Sequence, residues 1–521
     1  MTRPDAEQFV DSVVALGQAD ALAGRERVEH VDVLIVGAGL AGVGAACRLA
    51  ERLPNKRVLI VEARDALGGT WDLFRYPGIR SDSDMLTLGY DFRPWQGRAP
   101  LADGPSIRRY IAETAEAHGV TERIRYQRRV TRLSWDSAAA VWTANLERTD
   151  GGGTERATAG FVYSCTGYYR YDEGYTPEFP GAERFQGQIV HPQHWPPDLD
   201  PAGKRFVVIG SGATAVTLVP ALAENAAHVT MLQRSPSYVL SLPREDPLAR
   251  VFTRLPARVA YRVARWRNIL ASTGMYAVSR RWPDVVRRLI RRLQKGQLPD
   301  ADLDRHFTPR YDPWDQRLCI VPDGDLFKAL RSGRASIVTD TIDTFTETGV
   351  RLSSGEVAEA DVIVTATGLN LLMFGGMEFV VDGEPADVTK SVGVRGMMLS
   401  GLPNFVFAVG YVNASWTLKA DLVAEHTCRL LAHMDAHGYD RVIPLPPPES
   451  EQRRPLMDMS SGYLQRGLHL MPMQGTRAPW TMPQNYLRDR RRYRMGAVAG
   501  EDLRFHRAPA ASRLPSRPAP G

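Results

Sequence analysis

The sequence predicts an α/β protein made of two dinucleotide-binding, Rossmann-like folds, with a helical insert in the second. Three observations carry this prediction. A strand, a glycine-rich turn and a helix follow one another from residue 31, and the same succession returns from residue 205. The third observation is the length, because 521 residues are too many for one hydrophobic core.

The first motif is the apolar run 31–36 followed by the hexapeptide G-A-G-L-A-G. Gly37 permits the tight turn, Gly39 lets the backbone approach a pyrophosphate, and Gly42 lets the helix pack closely against the strand. A phosphate is then expected at the N-terminus of the helix, where unpaired N–H groups and the helix dipole favour an anion.

The elements after this turn complete the motif. A helix is predicted over 43–53 and ends before Pro54, and a second strand over 57–61 runs into Glu62. A carboxylate at this place accepts hydrogen bonds from ribose hydroxyls and would repel a 2′-phosphate. The first site is therefore expected to bind FAD or NAD(H), with Ala41 of the turn among the residues in contact.

The second motif repeats this design with one change of charge. The apolar strand 205–209 enters G-S-G-A-T-A, in which alanine replaces the third glycine, and the partner strand 229–233 is followed by a cation instead of an acid. A cation at this place is what a 2′-phosphate requires, so the second site is expected to prefer NADPH. The residues expected to contact NADPH are Gly210, Ser211, Gly212, Ala213, Thr214, Ala215, Val216, Arg234 and Ser235.

Two nucleotide sites of opposite preference in one chain predict electron transfer from one cofactor to the other. We expect strands that end in Thr-Gly, at 161–167 and 362–368, to be the seams where the chain crosses between the domains. The expected organisation is an N-terminal extension 1–30, FAD-binding segments 31–170 and 361–490, a linker 171–198, an NADP-binding segment 199–360 with a basic helical insert 244–305, and a basic flexible tail 491–521.

The linker carries a third motif, F-x-G-x-x-x-H-x-x-x-W-P, formed by Phe185, Gly187, His191, Trp195 and Pro196. It resembles the fingerprint of type I Baeyer–Villiger monooxygenases, whereas the related N- and S-oxygenating flavin monooxygenases end the motif with an aromatic residue and Lys. The alternative is a packed interdomain linker in which the histidine is a satisfied buried side chain.

The resemblance extends from about residue 31 to about residue 506. It is greatest for the ethionamide-activating subgroup of FAD-containing monooxygenases, which the segments R-Y-P-G-I-R-S-D-S-D (75–84) and N-A-S-W-T-L-K-A-D-L (413–422) resemble. The loops G-G-T-W (68–71) and R-Y-P-G are similar to those that lie along the flavin, which favours FAD over NAD in the first site. The resemblance implies flavin contacts for Gly69, Thr70, Trp71, Asp72, Leu73, Asp82 and Val130.

Two residues carry the chemistry that the resemblance implies. Arg317 occupies the place of the active-site arginine, and Asp82 is expected near the reactive side of the isoalloxazine. Taken alone, Arg317 could equally be a surface arginine and Asp82 a solvated loop residue. Many relatives carry Lys directly before the arginine where this chain has Gln316, so the preference for NADPH over NADH could be weaker.

The implied activity is an NADPH- and O2-dependent insertion of one oxygen atom next to a ketone carbonyl, which gives an ester or lactone by way of a C4a-peroxyflavin. The arginine would stabilise negative charge on the peroxide and on the tetrahedral adduct, and the aspartate would orient it. Sulfur oxygenation is a further expected activity. The alternatives are a heteroatom monooxygenase, an uncoupled NADPH oxidase and a non-catalytic nucleotide-binding protein.

One segment makes the chain basic. Between residues 244 and 295 fourteen Lys or Arg stand against three acids, a net charge of +11, so the remainder carries −5 of the total of +6. Apolar residues at helical spacing predict basic amphipathic helices there. The first apolar set is Val259, Val263, Trp266 and Leu270, and the second is Val286, Leu289, Ile290 and Leu293.

Two readings of this insert remain open. It is either a solvated helical subdomain packed over the NADP-binding domain, or a surface that contacts an anionic membrane or a partner subunit. Nucleic acid is disfavoured because no recognition module accompanies the charge.

Cellular context follows from composition. The four cysteines are far apart and form no C-x-x-C pair, so neither a disulfide framework nor a zinc site is expected, and no metal is predicted. No secretory signal and no apolar run long enough to cross a bilayer is present. We expect a cytoplasmic enzyme that could attach to a membrane surface.

Overall fold

The computed structural model describes residues 28–97, 101–243, 256–316, 318–457 and 460–507. The α-helices of this described chain are α1 (Leu40–Arg52), α2 (Thr70–Leu73), α3 (Met85–Leu88), α4 (Gly104–Ala117), α5 (Ala213–Leu222), α6 (Ala257–Arg281), α7 (Pro283–Gln294), α8 (Asp300–His306), α9 (Asp325–Arg331), α10 (Trp416–His437), α11 (Gly462–Gly467) and α12 (Tyr486–Met495).

The strands before residue 300 are β1 (Glu29–Val36), β2 (Val58–Val61), β3 (Ile124–Arg125), β4 (Arg128–Asp136), β5 (Val141–Arg148), β6 (Thr154–Ser164), β7 (Tyr169–Gly174), β8 (Gln188–Val190), β9 (Arg205–Ile209), β10 (His228–Gln233) and β11 (Val239–Leu242). The later strands are β12 (Cys319–Pro322), β13 (Ala335–Thr339), β14 (Ile342–Thr346), β15 (Gly349–Leu352), β16 (Val357–Glu359), β17 (Val362–Thr365), β18 (Leu369–Leu371), β19 (Glu378–Val381), β20 (Glu384–Pro385), β21 (Gly393–Val394), β22 (Met398–Leu399), β23 (Phe405–Phe407), β24 (Arg441–Pro444), β25 (Arg454–Pro455), β26 (Met473–Gln474) and β27 (Leu503–His506).

The first sheet is built around β1. Its order is β20-β19-β4-β5-β6-β1-β2-β3, and β23 also pairs with β6. The neighbours of β1 are parallel to it, whereas β4, β5 and β6 pair antiparallel. Val33 and Ile35 pack into one hydrophobic cluster and Leu34 into another. Both faces of β1 are therefore covered, which explains why the strand is apolar without alternation.

The second sheet is wholly parallel, in the order β13-β10-β9-β17-β8. Its apolar residues form a separate core with α5, in which Val208, Leu218 and Phe327 are fully buried. Each sheet holds a strand, a glycine turn and a helix at its centre, and this arrangement confirms the predicted fold class.

A two-stranded ribbon of β7 and β18 joins the two sheets. Each of its strands directly follows one of the Thr-Gly segments expected at the seams. One expectation about the second seam is wrong: the strand Val362–Thr365 was assigned to the return into the first domain, yet it pairs with β9 and β8 in the second sheet. An apolar parallel strand satisfies its backbone equally well in either sheet, so its sequence alone does not choose.

An ion-pair cluster fastens α10 to α1 and α12. Oxygens of Asp91, Asp421 and Glu425 lie within 4.8 Å of one another. Arg48 Nε lies 2.8 Å from Asp421 and Arg494 Nε lies 2.6 Å from Glu425, so arginines neutralise the carboxylates. The helix α10 ends at a glycine in the left-handed conformation, Gly438 with φ 64°.

The insert forms the expected helices, and most of the apolar set of α6 faces outward. Val259, Val263 and Leu270 are 45%, 43% and 53% exposed, whereas Trp266 of the same set packs against the first core. Arg265 is only 4% exposed, and its guanidinium donates to the carbonyl oxygens of Leu86 and Gly89. Two backbone carbonyl oxygens at the C-terminal end of α3 thus accept a guanidinium that an amphipathic pattern would place in water.

The packing partners of the insert also differ from the expectation. The helix α6 packs on α3 beside the first sheet, not on the NADP-binding domain, and Ile269 belongs to the first core. Only α7 lies where expected, with Val286 and Ile290 buried against Tyr238. Among the residues that the structure describes, no helix has both the length and the apolar character needed to cross a membrane.

Candidate active site

The first glycine turn leaves no room for side chains. Gly37 has φ +104°, and a Cβ there would lie 2.7 Å from the carbonyl oxygen of Cys165. A Cβ at Gly42 would lie 1.9 Å from the carbonyl oxygen of Gly37. Gly39 precedes α1 without a side-chain cap, so the first N–H groups of the helix remain available to a ligand.

A cavity of about 310 Å³ opens in front of this turn. Its walls come from the glycine turn, the G-G-T-W loop, the ribbon strand β7 and the start of α10. Nine of the residues expected around the flavin line it, namely Gly37, Gly39, Ala41, Glu62, Gly69, Thr70, Trp71, Asp82 and Val130.

Three expected flavin residues do not line this cavity. Gly42 lies behind the turn, where it allows the close approach of α1. Asp72 is buried, with 1% of its surface exposed, and its carboxylate pairs with Arg64, Arg75 and Arg108. Leu73 packs into the core of the second sheet. The helix α2 turns both side chains away from the cavity, a direction that the loop sequence did not reveal.

Glu62 stands at the cavity wall and is only 6% exposed. Its two oxygens accept the backbone N–H groups of Ala38 at 2.7 Å and Arg64 at 3.0 Å. Burial raises the pKa of this carboxyl, while the hydrogen bonds and the nearby Arg64 act in the opposite direction. Each oxygen keeps a further lone pair, so the group can still accept hydroxyl donors from a ligand.

The R-Y-P-G loop touches both halves of the molecule. Asp82 lines the cavity of the first half, whereas Tyr76 is buried in the core of the second sheet, beside Thr214 of the second glycine motif. A Cβ at Gly78 would lie 3.0 Å from the carbonyl oxygen of Thr217 on α5. Arg80 pairs with Asp325 at 2.6 Å. A ligand in the first cavity and one on the second motif would therefore contact the same ten-residue loop.

The fingerprint motif lies at the ribbon between the sheets. His191 Nε2 donates to the carbonyl oxygen of Gly368 at 3.1 Å, and Nδ1 accepts the N–H of Gln193 at 3.2 Å. Burial lowers the pKa of His191, which favours the neutral ring that this pair of bonds requires. A Cβ at Gly174 would lie 1.9 Å from the same ring. The end of β7 therefore packs so closely against the histidine that residue 174 has no room for a side chain.

The other fingerprint residues pack around the second sheet. Phe185 is buried in the cluster beside β9, and Trp195 packs against the core of α5. A Cβ at Gly187 would lie 2.3 Å from the carbonyl oxygen of Asp361, which explains the glycine. Pro196 follows Trp195 and is half-buried. The linker thus contributes β8 to the second sheet, and its histidine holds the second Thr-Gly segment through the bond to Gly368.

The second glycine motif is open to solvent. Gly210 has φ +141°, and a Cβ there would lie 2.4 Å from the carbonyl oxygen of Ala366, whereas a Cβ at Gly212 would meet nothing within 4 Å. Ser211 Oγ donates to the carbonyl oxygen of Ser235 at 3.1 Å. The side chain of Arg234 is exposed and forms no ion pair with any other described residue. Ala213 is exposed at the helix start, while Ala215 and Val216 are buried.

Sequence reasoning missed an aromatic wall of the first cavity. Tyr168, Tyr169, Tyr171 and Trp416 all line it, and the ring centroids of Tyr168 and Trp416 lie 5.5 Å apart. Tyr171 shares a hydrogen bond of 3.1 Å with Thr70, and burial raises its pKa to about 12. The signal was present as Y-Y-x-Y directly after the first seam. Arg317, the expected catalytic arginine, lies outside the described residues.

Each of the two sheets has parallel strands at its centre and a glycine turn at a helix N-terminus. A ribbon joins the sheets and one loop contacts both, which defines a protein with two dinucleotide-binding folds. Comparison with known proteins gives the family. Residues 102–379 match the family described as "Flavin-binding monooxygenase-like", and residues 35–93 match "NAD(P)-binding Rossmann-like domain".

Two curated relatives match nearly the whole chain. The FAD-containing monooxygenase EthA of Mycobacterium tuberculosis (strain ATCC 25618 / H37Rv) is 52% identical over 485 residues, which are 92% of this chain and 99% of the relative. The probable FAD-binding monooxygenase AlmA of Acinetobacter baylyi (strain ATCC 33305 / BD413 / ADP1) is 47% identical over 89% of this chain and 93% of its own length.

Solved structures agree in fold. An oxidized steroid monooxygenase bound to NADP has a TM-score of 0.68 at 25% identity, over 80% of this chain and 88% of its own. An open cyclohexanone monooxygenase has a TM-score of 0.68 at 19% identity, over 80% of this chain and 90% of its own. The chain belongs to the flavin-binding monooxygenase family, in its Baeyer–Villiger-like branch with EthA. The predicted family and the expected cofactors, FAD and NADPH, are thereby confirmed.

Proposed function

We propose that this monooxygenase performs Baeyer–Villiger oxidation: it uses NADPH and O2 to insert one oxygen atom next to a ketone carbonyl and releases an ester or lactone. The observation that carries the proposal is the loop 75–84, which lines the first cavity with Asp82 and contacts the second glycine motif through Tyr76. The fingerprint with its Trp195-Pro196 ending supports this reaction over heteroatom oxygenation.

The first cavity fits FAD. Gly39 and Gly69 lie next to each other, since a Cβ at Gly39 would lie 3.6 Å from Gly69 Cα, and both line the cavity. When bound, FAD accepts a hydride from NADPH and activates dioxygen for transfer to the ketone. N–H groups at the start of α1 would hold its pyrophosphate, and Glu62 would accept hydrogen bonds from its ribose.

The second motif suits a nucleotide that binds from solvent. Its open turn at Gly212 leaves space for a pyrophosphate, and the exposed guanidinium of Arg234 can pair with a 2′-phosphate. Thr214 of this motif lies beside Tyr76 of the loop 75–84. Binding of NADPH would thus bear directly on the loop that lines the flavin cavity.

We assign the charge stabilisation to Arg317 and its positioning to Asp82. A fixed guanidinium stabilises negative charge that develops on the oxygen being transferred and on the tetrahedral ketone adduct, and such preorganised charge is usually the largest catalytic effect. Asp82 lines the cavity, and by this proposal it would orient the guanidinium. His191, through its bond to Gly368, would couple the two sheets as they reorient between hydride transfer and oxygenation.

The test is the oxidation of an aryl ketone by the purified holoenzyme with NADPH under heavy-isotope dioxygen, followed by mass analysis. One labelled oxygen in the ester supports the proposal. The variant Arg317→Ala should keep its flavin and its reduction by NADPH but lose at least about 100-fold in ester formation.

The matched control is Arg310→Ala, an exposed arginine seven positions earlier, which should retain ester formation. Retained oxygenation in Arg317→Ala would overturn the assignment of that residue. Consumption of NADPH with hydrogen peroxide as the sole product, for linear and aryl ketones alike, would point to an oxidase. Sulfide oxidation without any ketone oxidation would point to a heteroatom monooxygenase.

A further inference from the structure

Exposed apolar side chains are concentrated in the insert. Of the fifteen large hydrophobic residues that are exposed in the described chain, eight lie between Val259 and Leu293. On a water-facing subdomain such residues would be scattered singly, so their concentration in 35 positions indicates a surface that is covered by something. We call this set the insert surface: Val259, Val263, Leu270, Met275, Trp282, Val285, Leu289 and Leu293.

The outward direction of α6 is fixed by its inner face. Arg265 donates to the carbonyl oxygen of Gly89 at 2.9 Å, and Asn268 Nδ2 donates to Asp84 at 3.0 Å. Ile269 is 1% exposed in the first core. A rotation of the helix that buried Val259 and Leu270 would break these bonds and leave a guanidinium unpaired, so these side chains stay outward.

The helix α7 is held in the same manner. Val286 and Ile290 are buried, and Gln294 Nε2 donates to the carbonyl oxygen of Val239 at 2.8 Å. One helical step away, Val285, Leu289 and Leu293 repeat every four residues along the exposed side. Trp282 lies at the junction of the two helices and is 54% exposed.

Arginines accompany this apolar surface and are only partly neutralised. Arg280, Arg287 and Arg291 pair with Asp315, Asp312 and Asp300 outside or at the edge of the insert. Within the described chain a second set forms no ion pair, and its members are Arg262, Arg281, Arg288, Arg292 and Lys295. Exposed apolar residues among unpaired cations are the pattern of helices that lie in the interface of an anionic bilayer.

We propose that the insert surface binds the headgroup region of an anionic lipid bilayer, with α6 and α7 lying along the membrane. The apolar side chains would enter the acyl boundary, and Arg288 and Arg292 would pair with lipid phosphates. A second copy of the chain is a poorer occupant, because a symmetric dimer would place the same cations against each other. This inference goes beyond the proposed reaction and does not depend on it.

The experiment measures binding of the full-length holoenzyme to vesicles by flotation. We expect binding to vesicles of phosphatidylcholine with phosphatidylglycerol, weak binding to phosphatidylcholine alone, and release by high salt. The double variant Arg288→Gln/Arg292→Gln should weaken binding about 25-fold, roughly fivefold for each cation. The variant Leu289→Asp/Leu293→Asp should lower it at least as much.

The matched control is Leu487→Asp/Met495→Asp, which places two acids on exposed apolar positions of α12 outside the insert surface. It should bind vesicles like the unchanged protein. Flavin content and NADPH oxidation report folding in every variant. Trp282 gives a local readout, because its fluorescence should shift to the blue with anionic vesicles, and the shift should vanish in Trp282→Phe.

Equal binding to neutral and anionic vesicles, or binding that the insert variants do not alter, would overturn the proposal. So would self-association of the protein in light scattering that Leu289→Asp/Leu293→Asp abolishes while vesicle binding is absent. That result would make the insert surface a contact between copies of the chain.

Discussion

The two glycine motifs share a strand, a turn and a helix but differ in their surroundings. In the first, Glu62 is buried, and a Cβ at Gly42 would collide with the turn at 1.9 Å. In the second, Gly212 and Arg234 are exposed, and alanine already occupies the third glycine position as Ala215.

This difference teaches how one motif serves two kinds of ligand. The first turn lies under the ribbon, the G-G-T-W loop and α10, so a nucleotide there would be enclosed on several sides and exchange slowly. The second turn meets solvent, so a nucleotide can enter and leave in each cycle. The enclosed site suits a resident cofactor, and the open site suits a reductant that is consumed.

The largest effect is expected from a side chain added to the first glycine turn. Gly42→Ala would place a methyl group against the carbonyl oxygen of Gly37, which should destabilise the protein by about 3 kcal/mol and release the flavin. Flavin absorbance per protein and thermal unfolding measure this. The reverse change in the second motif, Ala215→Gly, serves as control and should keep the flavin. A Gly42→Ala protein that keeps its flavin and its stability would show that the first turn is not more crowded than the second.

The next largest effect is expected from low pH, which should lower the free energy of unfolding of the first sheet and its helices. Burial lowers the pKa of His426 on α10 to about 4, and the neutral ring donates to the carbonyl oxygen of Tyr493 at 3.0 Å. Because the unfolded chain protonates this histidine near pH 6.5, stability is complete above that pH and falls as the pH drops toward 4. We expect a loss of about 2 kcal/mol between pH 7 and pH 5 in urea unfolding.

His426→Gln should remove that share of the pH dependence while the other histidines keep theirs. If the pH dependence of unfolding is the same in both proteins, His426 is not the titrating group. The flavin should also leave before the second sheet unfolds, because α10 packs only on the first.

Arg234 beside the second glycine motif should set the preference for NADPH over NADH. Arg234→Ala should raise the KM for NADPH about tenfold and leave that for NADH unchanged, since only NADPH carries the phosphate that the guanidinium can pair with. The steady-state rate of oxidation of each nucleotide measures it. Gln316→Lys, which adds a second cation, should strengthen the preference for NADPH. An equal loss with both nucleotides would place Arg234 outside phosphate recognition.

The smallest effect on stability is expected at Gly212. A Cβ there meets nothing within 4 Å, so Gly212→Ala should change the free energy of unfolding without NADPH by less than about 0.5 kcal/mol. The methyl group should nevertheless raise the KM for NADPH, because it stands where the pyrophosphate approaches. A destabilised apoprotein would show that the second turn is not open.

Local chemistry made much of the fold predictable. Glycine turns between an apolar strand and a helix have few alternatives, so β1, α1 and β9 lie where expected within three residues. The flavin cavity follows from them, and nine of the twelve expected residues line it. The exceptions Asp72 and Leu73 lie in a loop that forms one helical turn, and the turn directs them away.

The helix α6 shows where local pattern fails. Its apolar spacing predicted an amphipathic helix and left its orientation open, and the structure buries Arg265 and exposes Val263. The periodicity of a helix shows which residues share a face, whereas the contacts with neighbouring elements decide which face is buried. Here the carbonyl oxygens of Leu86 and Gly89 lie beneath and accept the guanidinium.

The sequence by itself determined that the chain holds two dinucleotide motifs of opposite charge preference, because glycine, carboxylate and arginine act there through their own geometry. The tertiary structure alone decided which sheet receives β17, which way α6 faces, and that one loop bridges the two sites. Those outcomes depend on contacts between residues far apart in the chain, and no short segment encodes its distant partner.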